Sequence, residues 1–108
     1  MIINRGLKNN FTEKTRELFA WNKFCFYCWK NGANALHHIL GRVSNSPLNC
    51  SPIHNEVCHL YNPQLSKKET IQRLLRNTYD FLMENDYQLT VKDREFKLKY
   101  KEYYEYYF

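Results

Sequence analysis

No apolar run in this 108-residue chain is long enough to span a membrane, and its opening, MIINRGLKNN, has no adequate apolar core for a signal peptide. The expectation is an intracellular protein with no membrane partner. Glycine and proline are sparse at three each, no flexible linker stands out and no internal repeat is present. A single domain over residues 1–108 follows. Acidic side chains are the minority charge, 11 against 16 basic ones, which leaves a formal net charge of +5 and a pI near 9.0. That balance favours a polyanionic partner without naming one. At 44% hydrophobic the chain can bury a core, yet it is small enough for a metal staple to help it.

What is present is concentrated. Residues 35–60, ALHHILGRVSNSPLNCSPIHNEVCHL, hold all four histidines and two of the four cysteines, and the other two lie just upstream in Cys25-Phe26-Tyr27-Cys28. Four cysteines make two disulfides in a secreted protein, but a CxxC followed by a later His and Cys reads better as a zinc site in a reducing compartment. Ala35 to Leu40 reads as a short strand carrying His37 and His38, closed by Gly41-Arg42 and a polar turn. Leu48 to Ile53 reads as a second strand, which Pro52 restricts to an edge. From His54 the pattern turns helical: His54 and Cys58, at i and i+4, share a face, and His59 is turned roughly 100° away. Neighbouring residues Cys58 and His59 can thus serve two different centres.

The order CxxC, strand with HH, loop, Asn, short strand, helix with CH resembles the HNH endonuclease family, the ββα-metal fold in its zinc-stapled form. It is similar in particular to the small stand-alone HNH proteins of bacteriophages, where HHI followed closely by GR is familiar. The matching residues are Cys25, Cys28, His37, His38, Gly41, Arg42, Asn49, Cys58 and His59, spread over about a third of the chain. The resemblance implies an α+β fold with a ββα-metal core at residues 22–64. It implies that His37 takes the first metal-ligand position, that His38 is the general base, and that Asn49 braces the loop and strand aiming the base. His59 would be the second ligand of a catalytic Mg²⁺ or Mn²⁺, and Asn62 falls near where some members place a further ligand. The structural zinc would be held by Cys25, Cys28 and Cys58, with a fourth ligand to be sought in the segment His54–Cys58, since the usual CxxCH is absent; we take His54. Cys50, about 13 Å of extended chain from His54, is the bystander.

The function implied is metal-dependent hydrolysis of DNA, double-stranded or branched, in the cytoplasm of a bacterial host if the chain is phage-encoded. Two other readings are compatible with the same motifs: a zinc-stapled nucleic-acid-binding module without hydrolysis, and an accessory nuclease subunit of a phage DNA-packaging or recombination machine. The residue types suit hydrolysis of a phosphodiester. An imidazole can take a proton from water near neutral pH, a divalent cation neutralises charge on the phosphate and leaving oxygen, and the guanidinium fork of Arg42 can hold a phosphate oxygen. Adjacent strand residues point to opposite faces, so His37 and His38 share a site only where the strand ends or bulges, a bend that Gly41 would permit.

Around this core we expect one helix before it and two after. Thr12 to Trp21 forms the first, capped by Thr12 or Asn10, with Leu18, Phe19 and Trp21 as apolar surface. The aromatics of Phe24 to Trp29 are expected to pack around the knuckle rather than stack on bases, and Asn31-Gly32 to turn the chain back. Tyr61-Asn62-Pro63 ends the metal helix. In the extension, residues 65–108, Ser66-Lys67-Lys68-Glu69 reads as a capping box opening a helix with Ile71, Leu74, Leu75, Thr78, Tyr79 and Leu82 on one stripe. Thr90-Val91-Lys92-Asp93 resembles a second such start. That helix runs toward a Tyr-rich end, residues 100–108, expected to pack rather than to bind nucleic acid.

Overall fold

The computed structural model describes residues 11–60 and 62–105. Its elements are α1 (Glu13–Phe19), β1 (Ala35–His38), β2 (Cys50–Ile53), α2 (Lys68–Glu84) and α3 (Val91–Lys99), joined partly by 3-10 turns at Pro47–Asn49, Pro63–Ser66 and Lys101–Tyr103 and by a π turn at Asn55–His59. The class is α+β with a two-stranded antiparallel sheet. No helix among the described residues is long and apolar enough to cross a membrane.

α1 begins where the Thr12 hydroxyl accepts the amide of Thr15 at 3.2 Å. It stops at Phe19, two residues short of the expected Trp21, and the alternative cap Asn10 lies outside the described residues. Phe19 is buried, whereas Trp21 leaves the helix and lies on the Phe81 ring.

β1 pairs with β2 in the register Ala35–Ile53, Leu36–Pro52, His37–Ser51 and His38–Cys50. Both strands are shorter than expected. Gly41, at φ +79°, turns the chain after His38, and its amide donates to the His38 carbonyl at 3.0 Å. Ser46 caps the turn Pro47–Asn49 by accepting the Leu48 amide, so β2 starts only at Cys50. Pro52 fits because its carbonyl accepts the Phe26 amide at 2.8 Å on the side away from β1, so its missing N–H removes no ladder bond.

α2 buries the expected Ile71, Leu74, Leu75, Thr78 and Leu82, together with Phe81, and packs on β2 and on the turn before it. Tyr79 is only half-buried. Three polar side chains on α2 then clamp the core: Arg73 donates to the Tyr27 carbonyl at 2.7 Å, Asn77 to that of Phe26 at 3.1 Å, and Thr78 to that of Cys50 at 2.7 Å. The knuckle and β2 are thereby held to one helix.

The capping box expected at Ser66 does not form. Ser66 closes the 3-10 turn opened by Pro63, donating its hydroxyl to the Pro63 carbonyl at 3.2 Å, and α2 starts at Lys68 with no side-chain cap. At Thr90 the box is complete in both directions. The buried Asp93 carboxylate there also accepts the hydroxyls of Ser46 and Tyr87, which ties the start of α3 to the loop before β2. α3 ends at Lys99, earlier than expected, and Tyr104 is buried against the Tyr79 ring. Tyr61 and the last three residues, Tyr106 to Phe108, lie outside the described residues.

The two hydroxyls should therefore respond differently to truncation. Thr90→Ala should cost about 1 kcal/mol in urea unfolding, and Ser66→Ala should stay within about 0.5 kcal/mol of the parent. Equal losses would show that the Thr90 cap contributes nothing special.

Candidate functional site

Four donors converge where the knuckle meets the π turn. The ligand atoms of Cys25, Cys28, His54 and Cys58 all lie within 4.8 Å of one another. All four cysteines of the chain are free thiols, so disulfides play no part. His54 Nδ1 stands 3.4 Å from Cys28 Sγ and 3.5 Å from Cys58 Sγ. A tetrahedral zinc with ordinary Zn–S and Zn–N bonds has an S···N edge of about 3.5 Å, so the spacing fits that ion.

The surroundings prepare the donors. The knuckle amide of Cys28 points at Cys25 Sγ at 3.5 Å. On the far side of the His54 ring, Nε2 donates to the Asn31 carbonyl at 2.8 Å, which in the neutral ring fixes the proton on Nε2 and leaves the Nδ1 lone pair facing the sulfurs. Gly32 makes room for this ring: it sits at φ +102°, and a Cβ on it would come within 3.3 Å of His54 Nε2.

The thiols are electrostatically in conflict without a cation. Burial pushes Cys25 up, but the backbone groups of Cys28, His54 and Tyr27 outweigh it and bring the thiol to about 7. Burial and the neighbouring Cys28 and Cys25 sulfurs push Cys58 up to about 12. One sulfur thus ionises readily while another resists, because negative charge gathers at one point. A dication among them removes the conflict. Cys50 is apart from the cluster, fully buried under α2, with burial alone raising its thiol.

One residue beyond Cys58, the chain faces elsewhere. The His59 ring lies 4.9 Å from that of His37, at 58°. Its Nδ1 meets Asn55 Oδ1 at 3.3 Å, and the Asn55 amide is in turn held by Asn34 Oδ1 at 2.8 Å. His37 Nε2 is buried and has no hydrogen-bond partner among the described residues. A buried, unpartnered imidazole nitrogen beside a second imidazole suits a pair of ligands for a divalent cation. Burial, then the charges of His59 and His38, hold His37 down to about 4, so its ring is neutral and able to coordinate.

β1 ends at His38, but the two rings have different neighbours, and neither His37 nor His59 lines the cleft that His38 lines. His38 stacks on Phe11 with centroids 3.9 Å apart, and its Nε2 meets Asn45 Oδ1 at 3.1 Å. An amide oxygen can only accept, so the proton sits on Nε2 and the lone pair on Nδ1. Arg42 lines the same cleft of about 420 Å³ as His38, together with Arg16 and Lys23. Asn49, fully buried, accepts the Leu40 amide at 2.8 Å and donates to the carbonyls of Gly41 at 3.0 Å and Ser44 at 2.9 Å. It holds the loop that follows the histidine pair. Asn62 donates to the Cys58 carbonyl at 2.8 Å and caps the next turn by accepting the Gln64 amide at 3.0 Å, so both ends of its side chain are engaged.

Sequence reasoning did not anticipate Asn31, Asn45 or Asn55 as partners of the histidines. For Asn55 a signal existed, since it precedes His59 by four residues; for the other two, neither spacing nor composition marks them. Comparison of the chain with protein-family models, with curated proteins and with solved structures finds no match.

Two measurements follow from this geometry. His54→Ala should lose tightly bound zinc and stability together, whereas Cys50→Ser should keep close to one zinc per chain; zinc retained by His54→Ala would break the assignment. The second concerns His37 in protein with no added divalent cation beyond zinc. Its folded pKa lies below the ordinary 6.5, so its contribution to stability is complete above about 6.5 and is lost as pH falls toward 4. Its ring proton shifts in NMR should accordingly stay flat from pH 7.5 to 5, and a midpoint above 6 would contradict the buried environment.

Proposed function

We propose that this chain is a metal-dependent DNA endonuclease of the HNH type, with a zinc-stapled ββα-metal core at residues 22–64. The observation that supports it most is the split between two sequence neighbours, with Cys58 in the thiol cluster and His59 against a buried, unpartnered His37 nitrogen. The net charge of +5 suits DNA as the polyanion.

In this reading His37 and His59 hold a divalent cation, which when bound neutralises charge on the phosphate and on the leaving oxygen. His38 takes the proton of the attacking water at Nδ1, while Asn45 keeps the other ring proton on Nε2 and so fixes the orientation of the base. Water oxygen bonds to phosphorus as the phosphodiester P–O bond breaks. Arg42 reaches a phosphate oxygen from the rim of the same cleft. Asn49 acts at one remove, by holding the backbone that follows the histidine pair.

Supercoiled-plasmid nicking with Mg²⁺ or Mn²⁺ tests this. His38→Ala should remain folded and bind DNA but lose ~10²–10⁴-fold in rate. His59→Ala should keep its zinc and its fold and lose divalent-dependent nicking, whereas Cys58→Ala should shed zinc and unfold more easily. Absence of nicking by the parent under every divalent ion, or undiminished nicking by His59→Ala, would remove the proposal.

A further inference from the structure

The knuckle carries an aromatic surface that neither the core nor the hydrolytic site uses. Trp21 is 62% exposed, Phe24 52% and Trp29 55%, although the neighbouring Phe26 is buried. The two tryptophans are set on one foundation. Trp21 lies on Phe81 with centroids 5.1 Å apart, Trp29 leans on Phe26 at 5.6 Å, and Phe26 and Phe81 touch each other at 5.6 Å.

Trp29 is anomalous in two respects. Its backbone sits at φ +64°, a conformation in which glycine is at ease and a bulky residue is strained. Burial does not repay that strain, because more than half of the side chain stays in solvent. Packing therefore explains neither its identity nor its conformation.

The segment that carries the knuckle has charge of one sign. No Asp or Glu occurs between Glu17 and Glu56, and the same segment carries Lys23, Lys30 and Arg42. Lys23 and Lys30 are both exposed and flank the Phe24–Asn31 bridge at the base of the knuckle. Asp80, beside Phe81 on α2, is paired with Arg76 at 3.6 Å. Exposed flat rings beside lysines form the combination that binds unpaired nucleotides, with bases stacking on the rings and phosphates meeting the cations.

We propose that Trp21, Phe24 and Trp29, with Lys23 and Lys30, form a stacking platform for an unpaired strand, so that the DNA engaged has a single-stranded or branched segment. This deepens the nuclease reading and takes DNA as the polymer from it. The platform stands on the zinc knuckle, so the unpaired segment is gripped by the same unit that carries Cys25 and Cys28.

The chain has two tryptophans, both in this surface, so intrinsic fluorescence reports on it directly. Zinc-loaded protein without added Mg²⁺ or Mn²⁺ is titrated with oligothymidylate, with a blunt duplex of equal length and with heparin. Oligothymidylate should quench the tryptophan emission, and the duplex and heparin should bind with little quenching. Trp29→Gly relieves the backbone strain and should keep zinc, yet bind oligothymidylate roughly 5- to 100-fold more weakly. Trp21→Leu should weaken it similarly. Equal affinity in Trp29→Gly, equal quenching by heparin, or concentration-dependent quenching with self-association in the absence of DNA would each overturn the platform. Plasmid nicking separates this outcome from the hydrolytic one. A parent that nicks plasmid but shows no quenching loses the platform alone, and a parent that is quenched but never nicks keeps the platform and loses the nuclease.

Discussion

Three sulfurs and one imidazole nitrogen lie within 4.8 Å of one another, an arrangement that disfavours ionising all the thiols unless a cation stands among them, and it joins the knuckle to the π turn. The cluster ties residue 25 to residue 58, and so closes the knuckle, the sheet and the π turn into one loop. α2 grips this loop through the backbone carbonyls of Phe26, Tyr27 and Cys50 and through the rings of Phe26 and Tyr27, which meet Phe81 and Arg73. A sheet of two four-residue strands has little stability by itself. Packing under α2 supplies part of what pairing alone cannot, and an ion held by the four donors would add a cross-link.

The same cluster bears on where the His37–His59 pair sits. His54 and Cys58 meet as an i, i+4 pair, with the Cys58 amide on the His54 carbonyl at 3.3 Å, and the turn widens beyond α from Asn55, whose carbonyl takes the Leu60 amide at 2.9 Å. Such widened turns concentrate at functional sites, where they aim a side chain that regular winding would send elsewhere. Here the wide turn leaves Cys58 among the sulfurs and carries His59 to His37. Asn62 then closes the turn from below through the Cys58 carbonyl.

Features written in residue spacing were legible from the sequence. The α2 stripe, the Thr90 box and the His54–Cys58 face each depend on intervals of three or four residues, which local geometry enforces, whereas the joining of that face to the distant CxxC was expected from the resemblance. Ser66 and Thr90 show the limit, because both are hydroxyls followed three residues later by an acid. Pro63 starts a competing turn that consumes the Ser66 hydroxyl, and the pattern of four letters does not contain that competitor. The partners of the histidines were hidden for another reason. Asn31 contributes a backbone carbonyl, which no residue type announces, and Asn45 reaches His38 across a loop whose shape is set by Asn49. The expectation that the knuckle rings pack inward held for Phe26 and failed for Phe24 and Trp29, since composition says how many rings there are and not which way they face.

Pro52 has an effect that reaches beyond the fold of one molecule. A two-stranded sheet has two edges, and an uncovered edge invites a strand from another chain. On the outer side of β2 the proline offers no N–H, and its carbonyl is already occupied by Phe26. All four residues of β2 are buried, so the knuckle takes the place that a further strand would need. The residue that most weakens the case for a strand in the sequence is thus the one that lets the knuckle close this edge with a single hydrogen bond.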